Sequence, residues 1–168
     1  NVEHYPRTDP AIIVLVRDQS DRILLGRQRV WPEHRFSTFA GFVETGESFE
    51  QCVAREVREE AGVSVTDVKY LGSQPWPFPA SLMIAFEARI VDPERARPDG
   101  EEIEEIRWLD RDSIVEEIMA GELLLPPKIS VACAMIESWY HENPLADGSL
   151  RPSLDSLDPA ALESWRSR

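Results

Sequence analysis

The residues of this chain best suited to chemistry are the carboxylates of Arg55-Glu56-Val57-Arg58-Glu59-Glu60. On a helix, where successive residues turn by about 100°, Glu56, Glu59 and Glu60 stand at i, i+3 and i+4 and share one face. Arg55 and Arg58 fall towards other sides. Three carboxylates crowded in this way repel one another unless something offsets their charge. Hard divalent cations such as Mg²⁺ or Mn²⁺ take oxygen ligands of this kind. An acidic, solvated helix face is the alternative, and the glutamates alone leave it open. Two neighbouring features favour the metal. The glycine-bearing loop Gly41 to Glu47 brings a backbone turn and another carboxylate to the start of the helix, and Gly62 stops the helix directly after the last glutamate.

The elements that position these groups are read outward from that helix. Ser48-x-x-Gln51 has the capping-box form that opens a helix, with Val53, Ala54, Val57 and Ala61 as the stripe that packs on a sheet. Upstream, Ala11 to Val16 is rich in β-branched residues and reads as a buried strand, Asp18 to Asp21 as a turn, and Arg22 to Gly26 as the hairpin partner. Arg27 to Phe36 is an irregular, partly basic loop, and Ser37 to Val43 is extended. Downstream, Val63 to Ser73 and Ser81 to Val91 read as strands separated by a proline-rich link, Gln74 to Pro79. A turn-rich loop, an acidic run, a short strand at Ile106 to Leu109, a helix from Asp112 or Ser113 to Ala120 and a more apolar helix from Ile129 to Tyr140 follow. The predicted class is α/β with a central mixed sheet: residues 1–142 form one domain, and 143–168 an irregular extension with a short helical stretch at Pro159 to Trp165.

Composition narrows the function classes. The 168 residues, 42% hydrophobic and 29% charged, suit one globular domain with a proper core. A formal net charge of −13 argues against a broad nucleic-acid surface and against anionic membranes, and no apolar run is long enough to span a bilayer. An acidic protein that binds a phosphorylated small molecule needs cations to screen the repulsion. Cys52 and Cys133 lack metal-binding spacing and read as reduced, buried thiols of a cytoplasmic protein. The chain does not begin with Met and shows no secretory signal near Asn1, so it reads as a piece of a longer protein.

Gly41, five residues, Glu47, seven residues and then Arg55-Glu56-Val57-Arg58-Glu59-Glu60-Ala61-Gly62-Val63 resembles the Nudix box without a departure. The resemblance implies an α/β/α sandwich, a loop-helix-loop that holds Mg²⁺ or Mn²⁺, and hydrolysis of a nucleoside diphosphate linked to another group. It implies Glu56, Glu59 and Glu60 as metal ligands and catalytic groups, Glu59 being a ligand or the base, and Arg55 as a residue that orients a glutamate. Glu47 binds metal or fixes the loop, which sequence does not decide. Glu102 is the expected fourth carboxylate, counted back from Trp108, with Glu101 and Glu105 as fallbacks.

The substrate is written elsewhere. Alternating prolines in Ser73-Gln74-Pro75-Trp76-Pro77-Phe78-Pro79-Ala80-Ser81 fix φ and keep the segment from pairing as an inner strand. Trp76 and Phe78 then either stack on a base or pack against neighbours. The segment resembles the signature of NADH pyrophosphatases, as do Tyr5-Pro6-Arg7 and Leu125-Pro126-Pro127 with Ser130-Val131-Ala132. By that similarity, Tyr5, Ala40, Gln74, Pro75, Trp76, Pro77, Phe78, Pro79, Ala80, Ser81 and Ala132 line a dinucleotide site, with Phe42 as a stacking candidate. The family implies NADH or NAD⁺ as substrate and a homodimer whose partner completes the pocket. ADP-ribose, dinucleoside polyphosphates and NAD-capped RNA are the alternatives, the last served by a local patch of Arg27, Arg29, His34 and Arg35. A catalytically silent nucleotide sensor would be expected to have lost motif glutamates, and all are present. Members in bacteria often carry a four-cysteine zinc ribbon ahead of this domain; these residues hold nothing of the kind, so zinc is not supported.

Overall fold

Strand β1, Asp9–Arg17, shows why the chain forms two layers around a sheet. Its run of aliphatic residues is buried on both faces, and the alternation of a strand sends neighbours to opposite sides. Ile13 and Leu15 join one core cluster with Ile114, Ile118, Ile136 and Trp139. Ile12, Val14 and Val16 join another with Val53 and Val57. The computed structural model describes residues 7–157 and is an α/β/α sandwich about a six-stranded mixed sheet, in agreement with the predicted class.

β1 pairs in parallel with β5 (Ser81–Ile90) along its whole length, Asp9 against Ser81 through Arg17 against Arg89. Its other edge is shared by two antiparallel strands. β2 (Ile23–Gln28) takes the Val16 end, and the short β3 (Phe39–Phe42) takes the Ala11 end. β6 (Ile103–Leu109) extends the sheet beyond β2. Helix α1 (Phe49–Ala61) lies on one face; α2 (Arg111–Ala120) and α3 (Val131–His141) contribute to the core on the other.

Helix α1 begins and ends as its sequence requires. Ser48 Oγ accepts from Gln51 N at 3.2 Å and Gln51 Oε1 accepts from Ser48 N at 2.8 Å, a complete capping box. Gly62, at φ 70°, closes the helix in the left-handed conformation. The buried stripe departs from expectation at one position. Ala54 faces solvent, and Cys52 and Glu60 are buried alongside Val53, Val57 and Ala61.

The proline-rich link also departs from its reading. β4 runs from Val65 to Trp76, so Gln74, Pro75 and Trp76 are strand residues opposite Met83, Leu82 and Ser81. The prolines are tolerated because β4 is the edge of the sheet, where a missing N–H costs no ladder bond. Only Pro77–Ala80 remain as the turn, with a cis Phe78–Pro79 bond. The last helix begins at Val131 and not Ile129, because Ser130 is its N-cap and accepts from Cys133 N at 3.3 Å. Within residues 143–157, Leu154 is buried against the α2–α3 cluster; the expected helical stretch Pro159 to Trp165 lies outside the described residues.

Candidate active site

Gly41 and helix α1 meet closely enough to explain both. A Cβ on Gly41 would stand 1.9 Å from Glu56 Oε1 and 2.0 Å from its Cδ, so the Glu56 carboxylate occupies the space that a side chain would fill. This is a close-approach glycine, held in β3 opposite Ile12. The three glutamates expected on one face differ sharply in exposure. The Glu59 side chain is 56% exposed and that of Glu56 12%, while Glu60 as a residue is 3% exposed. Glu60 lies three residues past Val57, on the stripe that faces the sheet.

Glu60 projects into a small cavity of about 120 Å³ with Gln28, Thr38, Phe39, Ala40 and Ile103 in its walls. Its Oε2 is buried and has no hydrogen-bond partner. Burial, then the negative charges of Glu102, Glu56, Asp99 and Glu59, push its carboxyl up to about 9. Burial also raises Glu56 above the ordinary carboxylate range, although Arg55 opposes it. An orphaned buried oxygen within a ring of like charges is a poor arrangement for a protein alone and a good one around a divalent cation.

Arg55 does not fall to another side of the helix as the wheel suggests, because its side chain is long enough to reach back over the acidic face. Its Nε and Nη2 donate to Glu47 at 2.8 and 2.9 Å, and Nη1 donates to Glu56 at 2.7 Å and Glu59 at 3.0 Å. Nη2 also donates to Phe42 O at 3.0 Å, which ties the helix to the end of β3. Hydrogen bonds from Arg55 hold the Glu47 carboxyl down at about 2. Burial beside these acids pushes the Cys52 thiol up to about 12, so Cys52 stays protonated at neutral pH.

Within the acidic run, Glu105 pairs with Arg107 at 2.8 Å and Arg27 at 3.6 Å, and Glu104 with Arg27 at 3.0 Å. Glu102 is the glutamate of this run whose charge bears on both Glu56 and Glu60. Gln28 Nε2 donates to its Oε1 at 2.8 Å. Asp99, absent from the expected set, shapes this loop by accepting from Ile103 N at 2.8 Å and Glu101 N at 3.1 Å. Among the described residues no three carboxylates already form a closed metal shell; Arg55 engages Glu56 and Glu59, and Gln28 engages Glu102. The unpartnered Glu60 oxygen and the cradle over Gly41 fit a divalent cation.

A cleft of about 360 Å³ adjoins this cavity, sharing Ile13, Trp31 and Ser37 with it. Trp31, Phe36, Trp76 and Met83 make it largely apolar, and Arg35, Gln74 and Ser130 supply polar groups. Gln74 uses both ends of its amide here. Nε2 donates to Ile129 O at 2.7 Å and Oε1 accepts from Val131 N at 2.8 Å. The side chain thereby joins β4 to the start of α3 and fixes the two sides of the cleft.

Of the expected substrate residues, Gln74, Trp76 and Ala132 line this cleft and Ala40 lines the cavity with Glu60. Pro75, Pro77, Pro79, Ala80 and Ser81 do not line either; they build the end of β4, the turn and the start of β5. Phe78 is 71% exposed and meets Trp76 edge to face at 5.6 Å, and Phe42 is 60% exposed and outside the cleft. Tyr5 lies outside the described residues. Trp31, Phe36 and Met83 were missed. Trp31 and Phe36 sit in a loop without periodicity, and Met83 reads simply as an inner strand residue.

Residues 7–124 match the family model of the NUDIX domain. The chain is 54% identical over 147 residues to the NAD-capped RNA hydrolase NudC of Mycobacterium bovis, covering 82% of this chain and 46% of that protein. It is 40% identical over 144 residues to the human NAD-capped RNA hydrolase NUDT12, covering 83% of this chain and 31% of that protein. The chain thus spans less than half the length of these relatives. A NUDIX hydrolase from Nitrosomonas europaea superposes with a TM-score of 0.58 at 23% identity, over 66% of this chain and 61% of that one. One from Chromobacterium violaceum superposes with a TM-score of 0.56 at 17% identity, over 98% and 92%. These two structures speak to the fold.

Proposed function

The chain belongs to the NUDIX family, and from that membership we propose that it hydrolyses the pyrophosphate bond of NADH, and more weakly of NAD⁺, to a nicotinamide mononucleotide and AMP. One observation carries the reading: an aromatic-walled cleft of about 360 Å³ joins a cavity that ends on the buried carboxylate of Glu60. A nucleoside in the cleft puts its diphosphate at the glutamates.

Mg²⁺ or Mn²⁺ held by Glu56, Glu60 and Glu102, with Glu59 as a further ligand or as the base, would acidify the attacking water and neutralise charge that builds on the phosphoryl oxygens. The protein's own groups do the rest. Water adds to one phosphorus, the bridging P–O bond breaks, and two mononucleotides leave. As the base, Glu59 would take the proton, and its greater exposure than Glu56 and Glu60 supports that role. Arg55 is a positioning residue: it gathers Glu47, Glu56 and Glu59 round one guanidinium by hydrogen bonds and does not line the cleft. Trp31 and Trp76 cover the base and exclude water from it.

Release of AMP from NADH with added Mg²⁺ or Mn²⁺ tests this reading. Glu59→Gln or Glu60→Gln should cut turnover by about two orders of magnitude or more in a folded protein. Absence of AMP with either metal removes it, and near-normal turnover in both variants removes the residue roles.

The names of the relatives favour a second reading, hydrolysis of the NAD cap of RNA. Turnover of NADH, ADP-ribose and NAD-capped RNA in competition at equal concentration ranks these substrates; a strong preference for ADP-ribose displaces the first choice. We also propose a homodimer, supported by Phe78 and Ile129, 71% and 70% exposed, beside the elements that form the cleft. Light scattering reads that state. The two free, buried cysteines accord with a cytoplasmic setting.

A further inference from the structure

Arg35 is the exception among the arginines. Every other buried or half-buried arginine among the described residues has a carboxylate within 4.0 Å: Arg17, Arg55 and Arg111 are the deepest examples. Arg35 is half-buried, has no such partner among the described residues, and its Nε is buried without a hydrogen bond. In a chain with net charge −13 a carboxylate is easily supplied, so leaving this guanidinium without one is a costly choice that an anionic ligand would reverse.

Its position says which anion. Arg35 lines the aromatic cleft and also an adjoining cavity of about 260 Å³ that contains Lys128, but not the cavity that contains Glu60. The order outward from Glu60 is small cavity, aromatic cleft, Arg35, second cavity. With the scissile diphosphate at the glutamates, Arg35 lies beyond the nucleoside. In such dinucleotides a phosphate outside the pyrophosphate is carried on the adenosine ribose and not on the nicotinamide ribose, which puts the adenosine end in the cleft when Arg35 meets an anion.

We propose that Arg35 receives a phosphate carried on the adenosine ribose, outside the scissile pyrophosphate, and is a specificity-determining residue for substrates that bear one. The proposal rests on the dinucleotide reading above. Two sources share this chemistry: a 2′-phosphomonoester on a free dinucleotide, and the 3′-phosphodiester of a polynucleotide chain that begins with one. Arg35 offers a forked donor suited to either, and Lys128 lines the second cavity together with Asp155, with which it pairs at 3.0 Å.

Calorimetric titration of the full chain with AMP, adenosine 2′,5′-bisphosphate and adenosine 3′,5′-bisphosphate tests it without hydrolysis. One bisphosphate should bind roughly tenfold or more tighter than AMP, and which one does so identifies the source. Arg35→Met should abolish that preference, and Arg35→Lys should restore part of it. Unchanged melting temperatures establish that the variants fold. Bisphosphates that bind no tighter than AMP, an equal loss for all three in Arg35→Met, or no binding of any of the three overturns the proposal. NADH turnover is measured separately: a wild-type protein that shows the preference but leaves NADH intact refutes the choice of reaction and not the role of Arg35.

Discussion

Glu60 and Gly41 each depend on one side-chain-sized space. Glu60 is costly to the metal-free fold, since a buried carboxylate with an unpartnered oxygen among like charges gains nothing there. Glu60→Gln should therefore raise the melting temperature of the metal-free protein while it abolishes turnover. Thermal melts with and without a chelator check this, and a lower melting temperature in chelator counts against it. Gly41→Ala places a methyl within 1.9 Å of Glu56 Oε1, so the Glu56 carboxylate must leave its position. We expect at least a hundredfold loss of turnover with secondary structure kept, read by product release beside circular dichroism. Both residues stand out in the sequence because the motif lies within one loop and one helix. The reach of Arg55 does not, because a helical wheel fixes the direction of Cβ and not the end of a long side chain. Of the expected lining residues Gln74, Trp76 and Ala132 reach the cleft, and the rest of its wall comes from a loop, two strands and a helix start far apart in the chain.

At the scale of elements, helix α1 is specified from both ends and the strands are less so. The Ser48 capping box satisfies donors at its first turn, and Ser48→Ala should cost about 1 kcal/mol. Denaturant melts read that loss, and turnover per folded molecule should stay near normal. The helix bounds were legible because caps are local chemistry. The length of β4 was not. Prolines at 75 and 77 argue against an inner strand, and only the finished strand order shows that β4 is an edge. β3 shrinks to Phe39–Phe42 for a related reason: it shares one side of β1 with β2, so neither can run the full length.

The whole molecule is held at the end away from the glutamates by charge as well as by apolar packing. Asp21, at φ 66° in the β1–β2 turn, accepts from Arg17 and from Arg111 at 2.6 Å, while Arg17 also meets Glu87 at 2.8 Å and Glu142 at 2.9 Å. Burial pushes the Asp21 carboxyl up, but hydrogen bonds from Arg17 and Arg111 outweigh it and hold it below the ordinary range. Its contribution is therefore present above the unfolded value of 3.8 and is lost as pH falls through the lower folded value. Asp21→Asn, which tolerates the same backbone, should cost about 2 kcal/mol at neutral pH and flatten the acid limb of the stability curve. Melts from pH 7 to pH 2 check both; a parallel offset at every pH would assign the loss to packing. This network was not legible, because it joins residues from five elements or turns. Gln74 carries a different consequence. A single amide spans from the sheet edge to the helix opposite, so the mouth of the cleft is set by a side chain independent of the glutamate helix. On the proposed function, substrate range can drift through selection on that clasp while the reaction stays fixed, with recognition and chemistry inherited on separate parts of the fold.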